Sequence, residues 1–218
     1  MLSLLGLNAL LSVVVVGLRL AERGLLRRAA RGDVVTIEEA TRNDDRIAVV
    51  AGIGLGVLVV TGILWVVWQH RAQANLHAIG VPALRFSPGW AVGWWFVPFA
   101  NLVKPFQTMR ELWKASGGRP DWPHLPTWPV IGWWWAGWIT AAVLARVGAG
   151  LISSDSRSIE PFLAGNLWLT IAELVEIAAA MLAIALIRSV TDRQAMLKRH
   201  LDADAAVPPR PDLPALSG

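Results

Sequence analysis

Residues 86–116 read FSPGWAVGWWFVPFANLVKPFQTMRELWKAS, and whether 86–103 crosses a membrane decides the fold. That part has no ionisable side chain, holds Trp90, Trp94 and Trp95, and is interrupted by Pro88 and Pro98. Beyond it Lys104, Pro105, Arg110 and Lys114 make the remainder basic and amphipathic.

Four other apolar blocks flank this one, at 2–18, 47–68, 129–150 and 162–187. Crossing ~30 Å of hydrocarbon takes about 20 apolar residues in a helix. Hydrophobic residues make up 55% of the chain and charged ones 17%, gathered in blocks, which excludes an ordinary soluble domain. The expected fold is an all-α, polytopic transmembrane bundle of five spans, one Pro-kinked, with a short cytoplasmic interfacial helix. Residues 1–193 form a single transmembrane domain on this reading. Residues 194–218 form a cytoplasmic tail, Pro-rich and expected to be disordered at VPPRPDLPALSG. No positive charge precedes the first block and no small-residue cleavage site follows it, so it reads as a retained span.

Charge decides between four spans and five. With 86–103 spanning, Lys and Arg in the flanking segments divide 16 to 3; without it they divide 8 to 11. Cytoplasmic segments carry the excess of Lys and Arg, so the first division is the one expected. It places the chain in the cell membrane as a multi-pass protein, N-terminus outside and C-terminus in the cytoplasm. Tryptophan favours both interfaces, and Trp65, Trp68, Trp90, Trp94 and Trp95 then group at outer ends, with Trp113, Trp122, Trp128 and Trp133 at inner ends.

Local signals place some helix ends. Thr36 with Glu39 three residues on is a capping box, and Gly80 with Pro82 stops the helix that contains the second span. Gly52 and Gly56 form a G-x-x-x-G pair, either a close-approach face or ordinary glycine usage in a membrane helix. The Ser-rich SSDS segment at 153–156 reads as a turn.

Chemistry-bearing residues are few. The chain has no cysteine, which excludes disulfides, thiolate catalysis and Cys-ligated metals. No nucleophile has a base at usable spacing and no phosphate loop occurs, so a non-enzymatic protein without a cofactor is expected. His70 and His77 lack a nearby acid and make a weak metal site. Glu173 and Glu176 share a face of the last span, and Arg146 is the only basic residue inside any span. Intramembrane carboxylates are costly and need a partner, so an Arg146–Glu173 pair with Glu176 beside it is the sharpest candidate, as a proton or cation coupling site or as a static clamp. Trp94, Pro98, Asn101 and Pro105 recur at three- and four-residue steps, along one face of a kinked third helix; they mark a ligand groove or a kink satisfied by its neighbours. Residues 104–114 suit an interfacial helix with Phe106, Met109 and Trp113 towards lipid, Arg110 and Lys114 towards anionic headgroups, and a Glu111–Lys114 pair.

The stretch from Trp68 to Ser116 resembles a family of bacterial membrane proteins known only as a domain of unknown function. The resemblance is carried by Trp68, Arg71, Asn75 and Leu76, by the core Trp90, Trp94, Trp95, Pro98 and Asn101, and by Pro105, Met109, Glu111, Leu112 and Trp113. It supports membrane architecture and implies no activity, substrate or catalytic residue. Expected partners are the bilayer, anionic headgroups on the cytoplasmic side and a protein partner or second copy; nucleic acid is not among them. Binding of a lipid or partner is the leading expectation, and a small transporter or proton-coupled component using Glu173, Glu176 and Arg146 is the alternative.

Overall fold

A computed structural model describes residues 1–153 and 158–206, apart from the side chains of Asp204 and Ala205, and among these residues the regular structure is helical. The elements are α1 (Leu2–Ala30), α2 (Ile37–Ile79), α3 (Pro88–Gly93), α4 (Lys104–Ala115), α5 (Pro129–Ile152) and α6 (Glu160–Ala206), with 3₁₀ turns at Ala100–Leu102 and Trp122–His124. Four of them, α1, α2, α5 and α6, are long and apolar enough to cross a membrane.

Helix ends follow the local chemistry. Thr36 Oγ1 accepts from the Glu39 amide at 3.1 Å while the Glu39 carboxylate accepts from the Thr36 amide at 3.4 Å, so the capping box forms. Gly80 closes α2 at φ 78°, the left-handed conformation that a residue with a Cβ adopts only at a cost. Past the apolar blocks, α2 continues to Ile79 and α6 to Ala206. The boundary expected at residue 193 therefore falls inside a helix, while 207–218 and most of the SSDS segment lie outside the described residues.

The long helices alternate in direction. α1 packs along both α2 and α6, and α5 packs along α6. Asn8 donates to Thr61 Oγ1 at 3.1 Å between α1 and α2. Arg23 donates to the Leu163 carbonyl at 2.7 Å, and Asn166 donates to Glu22 at 2.8 Å, between α1 and α6. α5 and α6 come closest at two glycines. A Cβ on Gly148 would lie 3.0 Å from the Gly165 carbonyl oxygen, and one on Gly165 would lie 2.8 Å from that of Gly148. Only glycine permits this approach. Gly52 and Gly56, by contrast, have open space where a Cβ would be, so among the described residues the G-x-x-x-G pair makes no close helix approach.

Residues 86–103 do not form a third spanning helix. α3 ends at Gly93, the segment from Trp94 to Phe99 turns, Phe99 takes φ 62°, and a 3₁₀ turn follows. Pro98 is the physical reason: it has no N–H to continue a helix and disfavours α conformation at the preceding residue. The stretch doubles back. Gln69 of α2 donates both to the Ala91 carbonyl at 3.2 Å and to Thr108 Oγ1 at 3.1 Å, one on each limb. Trp94, Pro98, Asn101 and Pro105 consequently share no helical face, and the expected kinked span is replaced by a re-entrant loop. Pro105 instead opens α4 and is buried.

Met1 and Lys198 line one surface pocket, so the N-terminus and the distal half of α6 lie at the same end of the assembly.

Candidate functional site

Two structures built from these elements carry the candidate residues. The first is a buried polar ladder that pins the re-entrant loop to α2 and α4. Gln69 and Gln73 stand one turn apart on α2, both fully buried. The Gln69 carbonyl oxygen accepts from the Trp95 indole N–H at 2.9 Å, in addition to the two bonds its amide donates. Gln73 donates to the Phe86 carbonyl at 2.9 Å and to Glu111 at 3.0 Å. Glu111 also accepts the amides of Arg85 at 2.9 Å and Phe86 at 3.1 Å. Its carboxylate thus anchors the start of the loop.

The remaining signature residues surround this ladder. Met109 and Leu112 are fully buried beneath α4, so α4 docks on protein and not on lipid through that stripe. Trp113 donates to Ser189 at 2.9 Å, and Arg193 lies 3.7 Å from its ring centroid. Asn75 donates to Gln194 at 3.1 Å, and Gln194 donates to the Ala72 carbonyl at 2.8 Å. Trp68 and Arg71 line the pocket shared with Met1 and Lys198. Trp90 is exposed and rests on Trp94 at 4.7 Å, while Lys104 lies 5.4 Å from the Trp94 ring. The expected Glu111–Lys114 pair is absent because Glu111 turns inward. Burial and the neighbouring Arg110 push the Lys114 ammonium below the ordinary lysine range. His77 sits 3.1 Å from the Phe86 carbonyl, and no group of three or more possible metal ligands forms among the described residues.

The second structure is a cavity of about 620 Å³ walled by α1, α2, α5, α6 and the loop tip. Its wall is apolar and rich in indoles: Trp65, Trp95, Trp134 and Trp138 all contribute. These rings brace one another, Trp65 stacking on Trp134 at 5.2 Å and Trp95 meeting Trp138 edge-on at 5.6 Å. The polar contributions come from Asn8, Ser12 and Thr61, and the only ionisable one from Glu176. The Trp65 indole N–H is buried without an acceptor among the described residues.

Of the intramembrane trio, only Glu176 belongs to this cavity. Glu173 is half-buried one turn away on α6, and Arg146 is exposed on α5. No ion pair joins Arg146 to either acid among the described residues. Gly137 packs on Ala179 and Gly148 on Gly165, a register that sets Glu173 within about a turn of Arg146 in depth. Facing, and not depth, keeps them apart.

Gln69, Gln73 and the cavity's indole cluster were not singled out from the sequence. Their signal was available: Gln69, Gln73 and Leu76 fall at i, i+4 and i+7, one stripe of a helix continuing past Trp68.

A family model described as "Domain of unknown function (DUF4328)" matches residues 31–192. The chain belongs to this family. The match takes in the re-entrant loop, both glutamines, α4, α5 and most of α6, and so every polar contact of the ladder. No curated protein and no solved structure matches the chain.

Proposed function

We propose that this protein is a non-enzymatic, multi-pass protein of the cell membrane that holds a membrane-dissolved, lipid-like molecule in the cavity beneath its re-entrant loop. The cavity itself carries the reading. It is a half-open, largely apolar pocket of about 620 Å³ between the helices, walled by indoles and carrying one carboxylate. Pockets of this size and lining are the usual form of small-molecule sites. The ladder supports the same reading, because it fixes the loop whose Trp95 and Phe96 close part of the wall.

Both termini face the cytoplasm in this proposal. The flanking segments at their end carry 11 Lys and Arg against 8 at the other, a small excess in the cytoplasmic sense. Lys104, Arg110 and Lys114 then meet anionic headgroups at the cytoplasmic interface. The alternative of proton-coupled transport keeps Glu176 but loses Arg146 as its partner.

Native mass spectrometry after gentle detergent extraction tests the binding reading. The wild type is expected to carry lipid-mass adducts, and Ala180→Trp, which puts an indole into the cavity wall, is expected to lose them. A wild type free of adducts, or adducts equal in both proteins, overturns it.

A further inference from the structure

We infer that the molecule held in the cavity is a lipophilic organic cation, its charge paired with Glu176 and its apolar groups set among Trp65, Trp95, Trp134 and Trp138. The inference rests on the cavity reading above and names its ligand class. Its starting point is an unpaired acid. Glu176 has no hydrogen-bond donor and no basic partner among the described residues, although it lies in the apolar part of α6. Other acids of the assembly are provided for. Glu22 accepts from Asn166 at 2.8 Å and lies 3.6 Å from Arg19, and Glu111 has three donors. A carboxylate in hydrocarbon is expensive unless something neutralises it. α1, α2, α5 and the loop bring no ionisable group to the cavity wall, and on α6 the nearest is another acid, Glu173. Neutralisation is therefore left to a proton or to a cation that enters.

The indoles narrow the class further. A cation within about 6 Å of an indole ring is attracted by its quadrupole, most strongly once desolvated. Quaternary ammonium and phosphonium ions carry their charge inside an apolar shell, so they enter such a site without losing strong hydrogen bonds to water. A metal ion or a primary ammonium finds too few polar groups here: Asn8 already donates to Thr61, whose hydroxyl in turn donates to the Val57 carbonyl at 2.7 Å. A neutral lipid fits the apolar wall but leaves Glu176 unexplained. A proton competes with the cation for the same carboxylate, so loading and protonation of Glu176 exclude each other.

The test uses the full-length protein in nanodiscs of zwitterionic phosphatidylcholine, with tetraphenylphosphonium as the probe and equilibrium dialysis as the readout. Wild type is expected to bind saturably, more weakly as the pH is lowered. Glu176→Gln is expected to weaken binding tenfold or more and to abolish its pH dependence. Glu176→Asp is expected to bind better than Gln, and Glu173→Gln within twofold of wild type. No saturable binding to wild type, or equal affinity in wild type and Glu176→Gln, overturns the inference. The lipid adducts described above separate the two ideas. Adducts that persist while the cation fails to discriminate sink the cation alone; adducts missing from wild type sink the cavity reading as well. A native-mass dimer that Ala180→Trp dissociates makes a second copy the occupant and overturns both.

Discussion

Glu111, buried, accepts hydrogen bonds from Gln73 and from the amides of Arg85 and Phe86, whereas Glu176, exposed at the wall of the cavity on the apolar part of α6, accepts none from the described residues. The protein supplies the first with everything an ionised carboxylate needs. It leaves the second facing an apolar space of about 620 Å³. A carboxylate saturated by backbone amides is a structural fastener, because its energy is spent fixing the chain around it. A carboxylate left without donors among the described residues adds nothing to folding and is free to meet a group from outside the chain. The two sites are linked through Trp95, which takes its hydrogen bond from the ladder and presents its ring to the cavity. The fastener thereby shapes the site.

The contrast is most easily broken at Glu111. Glu111→Ala strands two part-buried backbone amides and removes one of the two acceptors of the Gln73 amide, and a buried donor left unsatisfied costs roughly 1–3 kcal/mol. A loss of about 3 kcal/mol or more is expected, read as a fall in the midpoint of denaturant unfolding in detergent micelles. Glu111→Gln, which keeps one acceptor oxygen but adds a donor among donors, is expected to recover only part of it. A midpoint shift below the scatter of the measurement for Glu111→Ala would mean that the ladder does not hold the loop.

The opposite result is expected at the other carboxylate. Glu176→Gln removes an ionisable group that has no partner among the described residues, so stability in the absence of ligand stays unchanged or rises by about 1 kcal/mol. The same unfolding assay measures it. A loss comparable to that of Glu111→Ala would reveal a hidden partner and turn Glu176 into a second fastener.

These two residues also show what was legible in the sequence. Four membrane-length helices follow from block length and hydropathy, and the capping box at Thr36 and the stop at Gly80 follow from local chemistry. The doubling back of 86–103 does not. Eighteen apolar residues suffice equally for a span or for a loop buried in protein, and irregular backbone is tolerated at depth when neighbours satisfy it. Those neighbours are distant in sequence: Gln69 reaches Trp95, and the Trp135 indole N–H donates to the Leu102 carbonyl at 3.1 Å. Counting charges favoured the span because the count treats every polar segment as a loop. In the fold, 69–79 and 188–206 are helix, and α4 packs on them through Met109 and Leu112. Glu111 was visible as part of a helical charge pair with Lys114, but the direction it faces is set by tertiary contacts that spacing alone does not encode. Glu173 and Glu176 were legible as a shared helical face; which of them meets the cavity was not.

Arg146 sharpens the comparison by the smallest effect. If Glu176 takes its counter-charge from a ligand, no basic side chain among the described residues stands in for it, and Arg146, the basic residue of the adjoining helix, lies about two turns from it in depth. It is exposed on α5, with Glu173 within about a turn in depth but on another face. An exposed side chain without partners changes stability by at most about 0.5 kcal/mol when removed. Arg146→Ala is expected to fall within that range, and the double-mutant cycle of Arg146→Ala with Glu173→Gln to give a coupling energy near zero, because the cycle cancels whatever each change does alone. The same cycle with Glu176→Gln is expected to be flat as well. A coupling of about 1 kcal/mol or more in either cycle would place the guanidinium on the carboxylate, since only contact or a shared network produces it. In that event the α5–α6 hairpin would hold an internal clamp, and the cavity would no longer need a cation to balance its acid.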